Sequence, residues 1–121
     1  MKKLGNTPQV KLGVVGVSRD CFPVALTKKR LNALMKSLKK ADVQACRCSI
    51  VIENENDAVA ACAELFDQEC NAAVIYLGNF GPEGPTTIFA ENFPGPIMVC
   101  AAAEESREVL ASDRGDALCG L

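Results

Sequence analysis

Four side chains that could bind a ligand lie in two loops, each of which follows an apolar run of the chain. Arg19 and Asp20 follow the first run, and Asn79 and Phe80 follow a later one. An arginine can pair with a carboxylate, a set of hydroxyls or a neighbouring subunit, and an aspartate can bind a metal or a hydroxyl. Asparagine and phenylalanine can line a crevice. Structural roles stay open beside these: Arg19 can extend along the surface, Asp20 can cap the next helix, and Phe80 can anchor its loop.

The same loops contain two further chemical groups, Glu83 and Cys21. Glu83 could contact a polyol, or it could be a solvated loop carboxylate. Cys21 lies near the expected start of a helix, a position that can activate a thiol. A nucleophilic cysteine also needs a base, however, and the chain contains no histidine. This absence excludes Ser–His and Cys–His dyads and any histidine general base, so we predict no catalytic residue in this chain.

The remaining motifs indicate neither a metal site nor a phosphate-binding loop. Seven cysteines are present, among them the C-x-C pair Cys46 and Cys48, but no C-x-x-C and no histidine complete a zinc pattern. Most of the others lie in apolar runs, so we expect reduced, structural thiols. Gly13 and Gly16 lie inside the first apolar run and do not form the dinucleotide-binding fingerprint, and the P-loop signature is also missing.

Length, composition and charge are those of one globular domain. The chain has 121 residues, of which 49% are hydrophobic and 23% charged, and this is enough to bury a core. The net charge of -2 suits neither nucleic acid nor an anionic membrane, so neither is an expected partner. No apolar run approaches the roughly 20 residues that span a bilayer. Residues 1–9 form a polar lead-in without the apolar region of a signal peptide, and we therefore expect a cytoplasmic protein.

The spacing of apolar residues predicts four strands that alternate with helices. The expected strands cover residues 10–17, 42–52, 72–77 and 97–100, and the expected helices cover residues 23–40, 57–69 and 84–92. The basic residues of the first helix, which include Arg30, are predicted to form a solvated face, and an anion-binding surface is the alternative. The predicted buried stripe of the second helix comprises Val59, Cys62, Ala63, Phe66 and Cys70.

Helix starts and the end of the chain have signals of their own. Asn54 or Asn56 can cap the second helix. Residues 104–110 can form one or two helical turns, and residues 113–121 suggest a turn and the start of a helix with Asp116 as its cap. Because such a helix begins without continuing, we expect residues 10–121 to be a fragment, or the ordered part, of a longer chain.

Four strands separated by helices predict a parallel α/β sheet with right-handed crossovers. The expected fold is a flavodoxin-like (Rossmann-like) three-layer sandwich with the strand order 2-1-3-4. In such sheets, ligands bind beyond the carboxyl ends of the strands where the strand order reverses. The loops of residues 18–23 and 78–87 meet there and the loop of residues 101–106 flanks them, so these loops form the predicted site.

Three stretches, KLGVVGVSRDCFP, NAAVIYLGNFGPEGPTT and GDALCGL, resemble the N-terminal domain of the L-fucose/L-arabinose isomerase family. The resemblance follows nearly the whole chain in order. It implies a multidomain cytoplasmic oligomer that interconverts aldoses and ketoses by an ene-diol mechanism at a divalent metal, usually Mn²⁺. The family holds that metal with Glu, Asp and His of later domains, so no metal ligand is assigned in this chain.

The resemblance also implies a place for the loop residues. The family's N-terminal domain packs in the oligomer and lends its strand-end loops to a sugar-substrate pocket, often that of a neighbouring subunit. By loop position, the resemblance places Arg19, Asp20, Asn79 and Phe80 in that pocket as substrate-binding residues. The chain would then supply sugar contacts and homo-oligomer surface without being catalytic alone.

Two other interpretations stay open. The chain could be a stand-alone flavodoxin-like module that binds a small sugar or phosphate in the same crevice, or it could be a purely structural assembly domain. Metal-dependent isomerase activity of a longer protein would favour the isomerase domain. Small-molecule binding by the 121 residues alone would favour the module.

Overall fold

Strands and helices alternate along the chain, as the apolar pattern predicts. The computed structural model describes residues 5–107 and 114–121. Its strands are β1 (Leu12–Val17), β2 (Ala45–Ile52), β3 (Ala72–Leu77) and β4 (Ile97–Ala101), and its helices are α1 (Val24–Lys40), α2 (Glu55–Asp67) and α3 (Glu83–Asn92). A 3-10 turn, Ala117–Gly120, lies near the C-terminus. No helix among the described residues is long and apolar enough to cross a membrane.

The four strands form one parallel sheet in the order β2-β1-β3-β4. This order confirms the predicted flavodoxin-like α/β fold. β1 and β3 pair residue for residue along their whole lengths, so their carboxyl ends lie side by side. The residues that follow them, Ser18 and Gly78, therefore start the two loops of the predicted site next to each other.

Helices cover both faces of the sheet. Gly16 of β1 faces α1, and a Cβ at this position would lie 3.2 Å from the side chain of Leu31. Gly13 faces the opposite side, where a Cβ would lie 2.8 Å from the side chain of Leu65 in α2. α2 in turn packs against α3. The two glycines of β1 thus let a helix approach the sheet closely from each side, which produces the predicted three layers.

α1 and α2 end in the same way, each with a residue in the left-handed conformation. Asp42 and Glu69 both have a φ of 58°. The residue that follows, Val43 or Cys70, donates its amide to a helix carbonyl five residues back at 2.9 Å. This Schellman motif satisfies carbonyl groups that would otherwise lack a partner. Because the amide of Val43 still bonds to the end of α1, β2 begins at Ala45 and not three residues earlier as predicted.

The predicted buried stripe of α2 is wrong in its largest members. Val59 and Phe66 are 59% and 68% exposed. The buried side chains of the helix are Ala58, Ala61 and Leu65. The prediction gave weight to large apolar residues, whereas the helix turns its small alanines to the sheet, because a small side chain allows close packing.

Predictions about capping have mixed outcomes. Asn54 caps α2, and its side-chain oxygen accepts a backbone amide of the first turn at 3.0 Å. α1 has no side-chain cap and begins at Val24, too far along the chain for Asp20, so the capping alternative for that residue is wrong. Asp116 occupies the predicted cap position of the C-terminal turn, but its side chain makes no capping hydrogen bond and pairs with Arg114 instead. The helical turns predicted for residues 104–110 lie partly outside the described residues.

Candidate functional site

Asn79 joins the loops that follow β1 and β3, and its side chain is 0% exposed. Its side-chain nitrogen donates a hydrogen bond to the hydroxyl of Ser18 at 2.7 Å. Its side-chain oxygen accepts the backbone amides of Arg19 at 3.0 Å and of Gly81 at 3.3 Å. Asn79 therefore bridges the two loops from within, and its predicted contact with substrate stays a prediction.

Arg19, Phe22, Phe80 and Glu83 form a cluster beside this bridge, which we call the Arg19 cluster. The guanidinium carbon of Arg19 lies 4.8 Å from the centre of the Phe80 ring, within the range of a cation–π interaction. Its Nη2 atom lies 3.3 Å from Oε2 of Glu83. The rings of Phe22 and Phe80 are stacked with centroids 6.1 Å apart. The structure thus brings together two of the predicted site residues, Arg19 and Phe80, and adds a carboxylate to them.

Asp20 lies at the surface of the same loop. Its side chain is exposed, and within the described part of the chain no hydrogen bond or ion pair holds its carboxylate. The oxygens of Asp20 are thus available to accept hydrogen bonds from a ligand. Phe80, by contrast, is only partly exposed, so its ring both anchors the loop and presents one portion to solvent.

A cleft of about 270 Å³ opens beside Glu83. Gly81 lines it from the loop after β3, Glu83 and Thr87 line it from α3, and Leu121 lines it from the C-terminal segment, residues 114–121. Its volume lies just below the roughly 300–1,000 Å³ of typical small-molecule pockets. Because Glu83 belongs both to the cleft and to the Arg19 cluster, the two features form one continuous surface at the carboxyl edge of the sheet.

Arg30 is buried, with 4% of its surface exposed, so its predicted place on a solvated face is wrong. Its Nη1 atom donates a hydrogen bond to the carbonyl oxygen of Gly78 at 2.6 Å. Its Nη2 atom lies 2.8 Å from a carboxylate oxygen of Glu104 and 2.8 Å from one of Glu105. Arg30 faces inward because it follows the buried Thr27 by three residues on the same side of α1.

Glu104 extends this network to the C-terminal segment. Its Oε1 atom accepts the backbone amides of Gly115 and of the following residue at 3.0 and 2.9 Å. A Cβ at Gly115 would collide with the guanidinium of Arg30, and a Cβ at Gly120 would collide with the carbonyl of Phe80. The C-terminal segment therefore packs closely against the network and against the loop that contains Phe80.

The ion pairs around Arg30 shift the pKa of both glutamates. The hydrogen bond from Arg30 lowers the pKa of Glu105 to about 2, and burial opposes this to a smaller extent. Burial acts to raise the pKa of Glu104, but hydrogen bonds from Arg30 and from two backbone amides together outweigh it and lower that pKa. The pKa of Arg30 is raised, chiefly by its hydrogen bond with Glu105. One cation and two anions therefore stand together at neutral pH.

The described residues do not fit the metal that the resemblance implies. In residues 5–107 and 114–121, no group of three or more histidine, cysteine, aspartate or glutamate side chains is arranged to hold an ion. The carboxylates of Glu83 and Glu104 are paired with arginines. Ligands for Mn²⁺ would have to come from other residues, and no chemical step is assigned to such an ion here.

Sequence reasoning missed Arg30, Glu104 and Gly120. An arginine beside two lysines resembles the rest of a basic helix face. The usable signal was the pair of glutamates directly after β4, because a buried guanidinium needs carboxylate partners. Nothing in the sequence marks Gly120 as a contact of Phe80.

The comparison with protein families finds a match over most of the chain. Residues 13–121 match the family model described as the fucose/sulfoquinovose isomerase N-terminal domain. The matched region includes both loops of the candidate site and the C-terminal segment. Comparisons with curated proteins and with solved structures find no match. The chain belongs to the fucose/sulfoquinovose isomerase family, and it corresponds to the N-terminal domain of that family.

Proposed function

We propose that this domain supplies substrate contacts to an aldose–ketose isomerase and part of the surface through which that enzyme forms a homo-oligomer. The domain is not catalytic alone. The observation that carries the proposal is the Arg19 cluster, in which charged and aromatic side chains lie together at the carboxyl edge of the sheet. Parallel α/β sheets bind their ligands at this edge, where the strand order reverses.

The chemistry of the cluster suits a polyhydroxylated substrate. The guanidinium of Arg19 donates hydrogen bonds to hydroxyl oxygens, and the carboxylates of Asp20 and Glu83 accept them from hydroxyl groups. The exposed part of the Phe80 ring offers an apolar surface for the carbon–hydrogen face of a sugar. The family description names fucose and sulfoquinovose. The positive charge of Arg19 complements the sulfonate of sulfoquinovose. The ion pair of Arg19 with Glu83 leaves the cluster near neutral, which suits fucose because that sugar carries no charge.

Within this proposal, each residue of the chain binds or positions. Arg19, Asp20 and Phe80 contact the sugar. Asn79 is a positioning residue, because it fixes the backbone amides of Arg19 and Gly81. The isomerisation itself is assigned to other domains and their divalent metal, since the chain has no histidine and its described residues contain no metal-binding group.

Exposed apolar side chains support the assembly part of the proposal. Val59 and Phe66 are seven residues apart on α2 and therefore share one helix face. Both are more than half exposed. Large apolar side chains that share an exposed face are typical of protein–protein contacts, and α2 is accordingly the helix that we assign to the oligomer.

The test compares the 121-residue chain with a protein in which this chain is joined to the metal-binding domains of its family. With Mn²⁺ present, the longer protein is expected to interconvert an aldose and its ketose, and the 121 residues alone are not. Thermal stabilisation of the 121-residue chain by millimolar sugar or phosphate would support the stand-alone binding module instead. A longer protein that binds the metal but leaves aldoses unchanged would contradict the proposed function.

A further inference from the structure

Two of the seven thiols meet beside Gly13 of β1. Cys46 of β2 is paired with Gly13 in the parallel register, so both residues face the same side of the sheet at a strand separation of about 4.8 Å. A Cβ at Gly13 would lie 3.3 Å from the Sγ atom of Cys70. Cys70 thus fills the space of the missing side chain, on the side of the sheet that Cys46 also faces.

The backbone anchors both cysteines at this place. Cys70 directly follows the left-handed residue that ends α2, and its amide bonds to the carbonyl of Leu65 at 2.9 Å. The next amide, that of Asn71, bonds to the carbonyl of Lys11 at 3.0 Å. Cys46 is held by the pairing of β2 with β1. A disulfide requires Cα atoms about 4.4–6.8 Å apart, so the bond requires Cys46 and Cys70 to approach each other this closely beside Gly13.

We infer that Cys46 and Cys70 form a reversible intrachain disulfide when the chain meets a small-molecule disulfide such as oxidised glutathione. Cys46 is half-buried and reacts first: its thiolate attacks the small disulfide, forms a mixed disulfide and displaces one thiolate. The Cys70 thiolate then attacks the Cys46 sulfur and displaces the second thiolate. Two protein thiols are oxidised to one disulfide, the glutathione disulfide is reduced to two thiols, and the two protons pass to the displaced thiolates.

Neighbouring thiols on the same side of the sheet are less suited to this bond. Cys48 is fully buried, and burial raises its pKa to about 12. Cys62 is turned toward α3, where its thiol donates to the carbonyl of Phe89 at 3.4 Å. Burial also raises the pKa of Cys70, to about 11. This favours Cys70 as the thiol of the second, intramolecular step over the first.

The bond would join β2 to the turn between α2 and β3 and so close the segment from Cys46 to Cys70. A disulfide that closes a segment of this length restricts the unfolded chain. We therefore expect the oxidised chain to melt roughly 5–10 °C higher than the reduced chain.

The experiment is a redox titration of the purified chain in glutathione buffers, followed by alkylation of the remaining thiols and peptide mapping by mass spectrometry. Cleavage after lysine, arginine and glutamate isolates Cys46 in residues 41–47 and Cys70 in residues 70–83. The expected result is a cross-link between these two peptides that is lost on reduction. The melting temperature of the chain should rise as the cross-link forms.

Cys46→Ala and Cys48→Ala are matched variants, because both remove a thiol from one face of β2. The cross-link and the higher melting temperature should persist in Cys48→Ala and disappear in Cys46→Ala. Three results would each overturn the inference: a Cys70 that stays open to alkylation after the exposed thiols have reacted, a Cys70 joined mainly to another cysteine, or a full rise in melting temperature in Cys46→Ala. If a variant does not fold, the peptide map of the unaltered chain tests the inference alone: a cross-link between residues 41–47 and 70–83 supports it, and a cross-link of Cys70 elsewhere overturns it.

Discussion

Arg30 donates a hydrogen bond of 2.6 Å to the carbonyl oxygen of Gly78, 48 positions further along the chain. This bond ties the middle of α1 to the first residue of the loop after β3. The same guanidinium pairs with Glu104 and Glu105 beyond β4. One buried side chain therefore fixes three segments at the carboxyl edge, and the loop that bears Phe80 starts from this fixed point.

Replacing Arg30 with methionine should lower the free energy of unfolding by about 3 kcal/mol. The change leaves the Gly78 carbonyl and the two carboxylates without their partner. Arg30→Lys should lower the free energy of unfolding by less, because the ammonium keeps the positive charge. Some stability is still lost, because the ammonium lacks the planar set of donors. Urea unfolding measures both. The exposed neighbour provides the control, since Lys29→Met should stay within about 0.5 kcal/mol of the unaltered chain.

A loss below about 1 kcal/mol in Arg30→Met would contradict this prediction. It would mean that water replaces the guanidinium at both carboxylates and at the Gly78 carbonyl at little cost. The network would then not be what holds the carboxyl edge together.

Acid should weaken the same network. Glu105 has a pKa of about 2 in the folded chain, and the pKa of Glu104 is also lowered, whereas an unfolded glutamate titrates near 4.3. A pKa that folding lowers contributes stability above the unfolded value, and this contribution is lost as the pH falls toward the folded value. The free energy of unfolding should therefore decline between about pH 4.5 and pH 2.

Urea unfolding at stepped pH measures this decline, and Glu105→Gln provides the comparison. The glutamine has no carboxylate to protonate, so the variant should be less stable at neutral pH and show a shallower decline in acid. An equally steep decline in Glu105→Gln would show that other carboxylates cause the acid sensitivity.

Replacing Asn79 with alanine should cost about 2–3 kcal/mol of stability. The change leaves the backbone amides of Arg19 and Gly81 without an acceptor and the hydroxyl of Ser18 without its donor. Amide hydrogen exchange should quicken at Arg19 and Gly81. Asn92→Ala is the matched control, because that asparagine is exposed and its side chain donates to the carbonyl of Ile88 in its own helix. Unchanged protection of both amides in Asn79→Ala would contradict a bridging role.

The central strands could be predicted from sequence because the residues of each strand are enough to identify it. β3 has the predicted bounds, and β1 differs by two residues, since a continuous apolar run between turn residues is itself the mark of a buried parallel strand. The alternation of strands and helices predicted a parallel sheet, and the order 2-1-3-4 is its simplest flavodoxin-like arrangement. These features need no knowledge of distant contacts.

The interior of the site could not be predicted in the same way, because it depends on distant partners. Whether Asn79 points inward is decided by Ser18, 61 positions away. Whether Arg30 is buried is decided by glutamates 74 and 75 positions away. The two loops therefore lie where the sequence predicted, at the carboxyl edge of the sheet. Only the structure shows which of the side chains point inward.

Replacing Glu69 with glycine should stabilise the chain by up to about 1 kcal/mol. Glu69 has a φ of 58° at the end of α2, a conformation that costs energy for any residue with a Cβ. Its ion pair with Lys11 is exposed and 4.0 Å long, so little is lost with the carboxylate. Thermal or urea unfolding measures the gain.

Asp67→Gly is the matched control for this change. It replaces an acid by glycine two residues earlier, inside the last turn of α2, where glycine should destabilise by about 1 kcal/mol. Opposite signs are therefore expected for the two variants. Destabilisation by both would show that the left-handed residue carries no strain.

The central claim is that the Arg19 cluster contacts the sugar, and the Arg19 side chain can be truncated without breaking the hydrogen bonds of Asn79. Its link to Asn79 runs through the backbone amide, so truncating the side chain leaves the bridge intact. Arg47 provides the matched control, because it is an exposed arginine on β2 that pairs with Asn32.

The most direct measurement is the steady-state kinetics of aldose–ketose interconversion in a protein that joins this domain to the metal-binding domains of its family, with Arg19→Ala set against Arg47→Ala. Loss of a charge-assisted hydrogen bond to the sugar should raise KM about tenfold or more in Arg19→Ala. The KM of Arg47→Ala should stay unchanged. Equal KM and kcat in both variants and in the unaltered enzyme would contradict a substrate contact by this domain.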